Sequence, residues 1–174
     1  MANLRDLIQQ QEQVRVHVGC GRVILPGFIN VDLRNQHAHV RFDAAEPWPC
    51  DDACVDFIFS EDFFEHLDQH AQVRFLAETW RVLKPGGRQH ISTPDLAWIM
   101  EARSTFQLGA RGVYDEWGKW CHEVVLTAQS LQLLCEMVGF SALPSVRQDY
   151  ATRPGGDRDP LLGNVYLDLL KPER

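Results

Sequence analysis

Residues 14–33 read VRVHVGCGRVILPGFINVDL, and this stretch decides the fold of the chain. It begins with alternating valines, typical of a β-strand, over residues 14–18 and then turns at Gly19-Cys20-Gly21. Glycines let the chain leave a strand at backbone angles that a Cβ would forbid, and they let a ligand lie against main-chain N–H groups. The pattern therefore predicts a ligand-binding turn at the end of the first strand.

A second apolar strand, residues 29–32, ends in the acid Asp32. In open parallel sheets such an acid accepts a pair of hydrogen bonds from the hydroxyls of a ribose. A dinucleotide fingerprint would need a third glycine at position 24, which is Ile24, and no phosphate-loop Lys-Ser or Lys-Thr pair follows the turn. A ligand with a ribose but without phosphate groups is therefore favoured.

Composition narrows the class of protein. The chain has 174 residues, 45% hydrophobic and 24% charged, which suits a single α/β domain over residues 1–174. A net charge of −7 argues against a nucleic-acid partner held by broad phosphate neutralisation, so a small-molecule substrate is expected, and a homodimer is left open. No apolar run approaches the ~20 residues of a membrane helix. Five scattered cysteines and the lack of signal-peptide features predict a cytoplasmic protein with reduced thiols.

The remaining elements follow from periodicity and from helix start and stop signals. The first crossover, residues 22–28, is too short for the usual helix and contains Pro26-Gly27, so it is expected to be shortened or to lack its helix. The pattern predicts a helix that is capped by Asn3 and runs to about Gln13, a helix over residues 71–83, and a helix over 128–138 that is capped by Thr127. It predicts strands over 40–43, 57–60, 88–93, 145–150 and 164–170.

The phrase VHVGCG followed by INVD resembles motif I of the class I S-adenosylmethionine-dependent methyltransferases, in particular the small type 11-like enzymes whose turn reads GCG. The phrase RVLKPGG before a strand is similar to the family's connection into its fifth strand. The resemblance covers residues 14–93 by motif and 127–170 by layout. It implies an α/β, Rossmann-like class I methyltransferase fold: a mainly parallel sheet with an antiparallel last strand. This chain departs from the family pattern at His17, where the family has an acid, and at Val23, where it has a third glycine.

The resemblance also implies a cofactor, S-adenosylmethionine, and transfer of its methyl group to a small-molecule or sugar-like acceptor. Each expected contact falls on a position that matches the family's motifs. Asp32 would hold the ribose, Gly19, Cys20 and Gly21 the cofactor backbone, Asp43 and Ala44 the adenine, and Ser60 and Glu61 the edge near the reactive methyl.

Residues 94–126 fit no family-wide template and are rich in large side chains, among them Trp98, Trp117 and Trp120. As an insert after the fifth strand they would cover the reaction site and line a substrate pocket. Alternatively, these aromatic side chains fill a small satellite core.

Methyl transfer needs no protein nucleophile, but a general base typically contributes ~10²–10⁴-fold for an oxygen or nitrogen acceptor. His66 is the first candidate, because it lies just after the ligand-binding edge, and His122 in the insert is the second. The alternative for His66 is a helix-face histidine that is hydrogen-bonded to a neighbour.

The segment Asp62-x-x-Glu65-His66 resembles the Glu-x-x-Glu-His metal site of small-RNA 2′-O-methyltransferases and ubiquinone-pathway O-methyltransferases. On a helix these three side chains would share one face, with His122 as a fourth ligand for Mg²⁺ or another divalent ion. Because a Glu-His-Leu phrase also occurs in relatives that use no metal, the sequence by itself predicts no metal ion.

Two other functions compete with methyl transfer. One is a catalytically silent, methyltransferase-like binding module, suggested by His17, Val23 and the short crossover. The other is a nicotinamide-dependent oxidoreductase, which Ile24 disfavours. Replacing Asp32 with Ala is expected from sequence to abolish binding of S-adenosylhomocysteine and to leave the melting point of the ligand-free protein nearly unchanged.

Overall fold

A six-stranded sheet organises the computed structural model, which describes residues 3–105, 115–143 and 164–173. The sheet has the order β2-β1-β3-β4-β6-β5. Its strands are β1 (Arg15–Val18), β2 (Ile29–Val31), β3 (Val55–Glu61), β4 (Leu83–Pro94), β5 (Ser141–Leu143) and β6 (Asn164–Leu170). Strands β2, β1, β3 and β4 run parallel, and β6 is antiparallel to both of its neighbours. The expected α/β class, with a mainly parallel sheet and an antiparallel last strand, is confirmed.

The helices begin where side chains can accept hydrogen bonds from free backbone N–H groups. They are α1 (Leu4–Gln9), a 3₁₀ turn (Phe64–His66), α2 (Gln69–Val82), α3 (Leu96–Thr105), a π-helical turn (Asp115–Lys119) and α4 (Ala128–Val138). Asn3 accepts from the N–H of Arg5, and Thr127 accepts from the N–H of Ser130. Both predicted caps are therefore confirmed, while α1 ends four residues before the predicted Gln13.

The first crossover contains no helix, as the sequence predicted, because a side chain organises it instead. Asn30 is fully buried and its amide oxygen accepts from the N–H of Leu25 at 2.9 Å. Its amide nitrogen donates to the carbonyls of Leu25 and Phe28 at 2.9 and 3.0 Å. These bonds satisfy backbone groups that a helix would otherwise pair internally. The link between β1 and β2 is therefore held without a helix.

The predicted strand over residues 40–43 is wrong apart from one residue. Val40 forms an isolated parallel bridge with Val31, and the chain then turns away. Asp43 causes the turn, since its carboxylate accepts from the N–H of Ala45 at 3.0 Å and its carbonyl accepts from the N–H of Glu46 at 3.0 Å. The predicted strand over 145–150 lies outside the described residues, and β5 begins earlier, just after Gly139.

The phrase RVLKPGG carries α2 directly into β4 at Leu83. Lys171 donates to the carbonyls of Trp80 and Leu83, both at 2.7 Å, and so satisfies groups at the end of the helix. A Cβ on Gly87 would lie 2.8 Å from the carbonyl oxygen of Lys84. The phrase is therefore structural, as the sequence predicted.

The main core lies between one face of the sheet and helices α2 and α4. Val16, Ile58 and Ile91 from three adjacent strands pack there against Phe75 of α2 and Leu131 of α4, and all five are 0% exposed. Burial of each such side chain contributes about 1.5–3 kcal/mol. This core fixes the strands, and their carboxyl ends are thereby brought to one edge.

Candidate cofactor site

A cavity of about 600 Å³ opens at the carboxyl ends of β1, β2 and β3. Ligand pockets typically enclose roughly 300–1,000 Å³, so the cavity is large enough for a nucleoside-sized ligand. Its walls come from the glycine turn, from residues 31–34 and 42–44, from Asp62, Phe63, His66 and Leu67, and from Cys121 and Glu123. Five segments of the sequence therefore meet at one edge of the sheet.

Asp32 fastens the glycine turn to the loop that follows β2. Its Oδ2 accepts from the N–H of Gly21 at 2.9 Å, and its Oδ1 accepts from the N–H groups of Arg34 and Asn35, both at 2.8 Å. Asn35 returns a side-chain hydrogen bond to the carbonyl of Gly21. Asp32, which is predicted to hold a ribose, thus also holds the loop after β2 against the glycine turn.

The hydrogen bonds around Asp32 favour its ionised form. Burial would raise the pKa of this carboxyl, but the N–H groups of Arg34, Asn35 and Gly21 outweigh it, and its pKa lies below the ordinary value. The carboxylate is therefore charged at neutral pH and can accept a hydrogen bond from a ligand hydroxyl.

The two glycines of the turn have different reasons to be glycine. Gly19 has φ +66°, and a Cβ there would lie 2.4–2.7 Å from the side chain of Phe63. Gly21 has φ +48°, and its Cβ position has no atom of the described residues within 4 Å. Phe63 therefore packs on Gly19, whereas Gly21 faces open space at the cavity.

Asp43 and Ala44, the residues expected to contact an adenine, also line the cavity. Trp48 donates its indole N–H to the carbonyl of Ala44 at 3.0 Å, and Phe42 packs edge-on against Trp48 at 5.5 Å between ring centroids. These contacts make a firm wall from a loop that has no regular secondary structure.

Three residues expected to contact the cofactor are not among those that line the cavity. Cys20 is 3% exposed and donates its N–H to the carbonyl of Val31 at 3.1 Å. Ser60 is fully buried and its hydroxyl donates to the carbonyl of His90 at 3.3 Å. Glu61 pairs with Ser92 in the sheet. Their assignments stay predictions.

Asp62 and Phe63, which the sequence reasoning did not assign to the cofactor, take the place at the end of β3. Asp62 has φ +48°, a backbone conformation that is uncommon for residues other than glycine. It therefore turns the chain sharply after the strand and directs Phe63 toward Gly19. The signal in the sequence was the position just beyond a strand end, which is where such folds place ligand contacts.

His17, where the family pattern has an acid, belongs to the other face of the sheet. It is 4% exposed, its Nδ1 lies 3.0 Å from Oδ1 of Asn30, and its ring packs 5.3 Å from that of Phe59. Burial lowers its pKa, so the ring is held neutral.

The two histidines predicted to serve the reaction meet at one end of the cavity. His66 lines the cavity and His122 lies beside it, with 5.1 Å between the ring centroids. Glu65 is fully buried next to both, and its Oε1 lies 3.9 Å from Nε2 of His122. Burial and the neighbouring His66 lower the pKa of His122 to about 4. His122 is therefore a neutral imidazole at neutral pH.

Backbone hydrogen bonds place His122 at this position. The N–H groups of Glu123 and Val124 donate to the carbonyl of Glu65 at 2.8 and 3.2 Å. Gln72 of α2 donates to the carbonyls of Phe64 and Val124 at 3.1 and 3.3 Å. The end of the insert is thereby attached to the 3₁₀ turn that carries His66.

The fold changes the set of metal ligands that the sequence resemblance suggested. Glu65, His66 and His122 each offer one ligand atom, and these atoms lie within 4.8 Å of one another. Asp62 precedes the 3₁₀ turn rather than sharing a helix face with Glu65, and its Oδ1 accepts from the amide of Asn164 at 2.8 Å. The expectation that positions 62, 65 and 66 lie on one helical face is therefore wrong.

Comparison with known proteins agrees with this geometry. Residues 24–91 match the family described as Methyltransferase domain. A SAM-dependent methyltransferase from Thermotoga maritima superposes with a TM-score of 0.63 at 16% identity, over 92% of this chain and 83% of that chain. A SAM-dependent methyltransferase from Archaeoglobus fulgidus superposes with a TM-score of 0.58 at 16% identity, over 92% of this chain and 87% of that chain. No curated protein matches the sequence significantly.

A chain of the complex between the Trm112 methyltransferase activator of Haloferax volcanii and a methyltransferase superposes with a TM-score of 0.60 at 13% identity. The match covers 96% of this chain and 88% of that chain. At these identities the superpositions establish the Rossmann-like fold. The fold and the match to a methyltransferase domain agree with the class I S-adenosylmethionine-dependent methyltransferase that the sequence resembles. The match to that family is carried by residues 24–91.

Proposed function

We propose that this enzyme transfers a methyl group from S-adenosylmethionine to a small-molecule acceptor that binds beside His66 and His122. The observation that carries the proposal is the cavity that joins Asp32 at one side, Asp43 and Ala44 at another, and His66 at its far end. An adenosyl group between the first two walls directs the sulfonium toward the third.

The ribose contact follows from the remaining acceptor capacity of Asp32. Oδ1 already accepts two backbone N–H groups, whereas Oδ2 accepts one. A carboxylate oxygen has two lone pairs, so Oδ2 can take one ribose hydroxyl without loss of the loop's own bonds. We therefore replace the expected bidentate contact with a single hydrogen bond to Oδ2.

The adenine is assigned to Asp43 and Ala44, which border the cavity next to the apolar ring of Phe42. The remaining predicted contacts, Cys20, Ser60 and Glu61, would act through the backbone or by holding the strand ends. Asp62 and Phe63 are the groups at the end of β3 that line the cavity, and we add them to the cofactor site.

Methyl transfer from a sulfonium is an in-line displacement, so the protein has to align donor and acceptor and to exclude water. The acceptor atom forms a bond to the methyl carbon as the carbon–sulfur bond breaks, and its proton leaves to a nearby base or to water. We assign the covering role to residues 94–126, because Trp98, Trp117 and Trp120 are 39%, 36% and 51% exposed. Exposed aromatic faces can bind an organic acceptor.

The remaining expectations about context stay part of the proposal. A single domain, a cytoplasmic location and an acceptor other than nucleic acid fit the composition and the charge of −7. Among the described residues, no helix is long and apolar enough to cross a membrane.

A thermal-shift panel tests the cofactor. S-adenosylhomocysteine at about 100 times its Kd is expected to add ~2.7 kcal/mol of stability, and NAD is expected to add none. A shift with NAD alone would mean that the cofactor is wrong. Release of S-adenosylhomocysteine from S-adenosylmethionine in the presence of hydroxylated and aminated acceptors then separates an enzyme from a silent binding module, which would bind the product without any turnover.

A further inference from the structure

We propose that Glu65, His66 and His122 together bind one divalent transition-metal ion at the end of the cavity. The metal site itself stands on the geometry of these three residues. Its role in catalysis rests on the proposed methyl transfer. The inference departs from the sequence, which predicted no metal ion.

The distances are those of a site close to its bound geometry. The three ligand atoms lie within 4.8 Å of one another, and Oε1 of Glu65 is 3.9 Å from Nε2 of His122. An ion with metal–ligand bonds of about 2.0–2.2 Å holds its ligands roughly 3–3.5 Å apart. Glu65 and His122 therefore need to approach by roughly 0.4–0.9 Å. The exposed His66 ring has the freedom to complete the set.

Neighbouring groups orient two of the three ligands, His66 and Glu65. Nδ1 of His66 lies 3.3 Å from the carbonyl oxygen of Cys121, and because a carbonyl only accepts, Nδ1 carries the hydrogen and Nε2 presents its lone pair. Thr93 donates to Oε2 of Glu65 at 2.9 Å and so fixes the carboxylate with Oε1 toward His122. A carbonyl behind a histidine and a hydroxyl behind a carboxylate are typical outer partners of metal ligands.

The ligand types select the ion. Two imidazole nitrogens and one carboxylate oxygen suit Zn²⁺, Co²⁺, Mn²⁺ or Fe²⁺, whereas Mg²⁺ and Ca²⁺ prefer oxygen ligands. Asp62, which would have supplied a second oxygen, is not in the group. A transition-metal ion of intermediate softness is therefore expected in preference to Mg²⁺.

Three protein ligands leave further coordination positions, and His66 borders the cavity, so those positions face the acceptor site. An ion there can bind an acceptor oxygen and lower the pKa of its hydroxyl. The hydroxyl proton then leaves to water, the oxygen attacks the methyl carbon, and the electron pair of the carbon–sulfur bond goes to sulfur. In the metal-bound enzyme His66 is thus a ligand, and the ion rather than His66 prepares the acceptor.

The test is a Co²⁺ titration of the EDTA-treated full-length protein without any cofactor, followed by visible d–d absorption and by calorimetry. We expect one Co²⁺ per chain, with a spectrum that about a 100-fold excess of Mg²⁺ leaves unchanged. His66→Ala and His122→Ala are expected to weaken binding by more than about 100-fold, beyond the range of an outer partner. His37→Ala is the matched control and should bind as the parent protein does.

His66 is exposed, so its variant is expected to fold even where a change at the buried Glu65 does not, and circular dichroism verifies this. Failure of the parent protein to bind Co²⁺, or unchanged affinity in both histidine variants, would overturn the metal site. Loss of binding in His37→Ala would overturn the ligand set. Since binding is measured without S-adenosylmethionine, these outcomes are separate from a failure of the cofactor assignment, which the thermal-shift panel reports.

Discussion

Replacement of Asp32 by Ala separates the structural role of this residue from its proposed contact with a ribose. The substitution removes the proposed acceptor for a ribose hydroxyl and, at the same time, the acceptor of three backbone N–H bonds at 2.8–2.9 Å. The sequence suggested that the ligand-free protein would keep its melting point. The three hydrogen bonds predict instead that the melting point of the ligand-free protein will fall.

The size of the loss can be worked from these bonds. A hydrogen bond to a charged group contributes about 1.5–3 kcal/mol when buried, but water can replace the carboxylate at the exposed N–H groups of Gly21 and Arg34. We therefore expect a total loss of about 1–3 kcal/mol rather than the full sum. For a chain of this length that lowers the melting temperature by roughly 2–12 °C.

The assay is thermal unfolding with and without S-adenosylhomocysteine. The parent protein should gain ~2.7 kcal/mol, or roughly 5–11 °C, at about 100 times the Kd, and Asp32→Ala should gain almost nothing. Asn35→Ala removes a bond to the same turn but keeps the carboxylate, so it should melt earlier yet retain the ligand shift. Asp51→Ala, which loses only an exposed ion pair with Arg5, should change neither quantity.

Two results would refute this reasoning. A full ligand shift in Asp32→Ala would mean that the ribose is bound elsewhere, and an unchanged melting temperature without ligand would mean that the three bonds contribute nothing.

The pH dependence of the stability gives an independent check. Because the pKa of Asp32 is below its ordinary value, its stabilisation is complete above the unfolded-state pKa of ~3.9 and is lost as pH falls through the folded-state pKa. The difference in unfolding free energy between parent and Asp32→Ala should therefore be constant near neutral pH and should shrink below about pH 4.

Three substitutions test the structural parts of the site and the fold. Gly19→Ala places a Cβ 2.4–2.7 Å from Phe63 and should cost about 2–5 kcal/mol, whereas Gly21→Ala, with open space at its Cβ, should cost only about 1–2 kcal/mol of backbone strain. Equal losses in urea unfolding would contradict the packing of Phe63 on Gly19. Thr127→Ala removes the cap of α4 and should lower the free energy of unfolding by about 1 kcal/mol. Gln129→Ala on the same helix is the control, and a smaller loss of stability in Thr127→Ala than in this control would refute the cap.

The sequence by itself determined the parts of this protein that depend on neighbouring residues. Alternating valines, the glycine turn and the acid at the end of β2 are contiguous, so they predicted the strand–turn–strand unit and Asp32 at the cavity edge. The caps at Asn3 and Thr127 were predictable because each side chain bonds a backbone group two or three residues away. The crossover without a helix followed from its length alone.

Only the tertiary structure decided what meets across the cavity. Phe63 packs on Gly19 because Asp62 reverses the chain after β3, and Asp43 ends the predicted third strand with a turn of its own. His122 reaches Glu65 and His66 through backbone bonds from a segment for which the sequence offered no template. The free energy of such contacts depends on where distant segments pack, and local periodicity carries no information about that position. The sequence therefore determined the strand–turn–strand edge of the cavity, and the packing of distant segments determined which side chains meet beside His66.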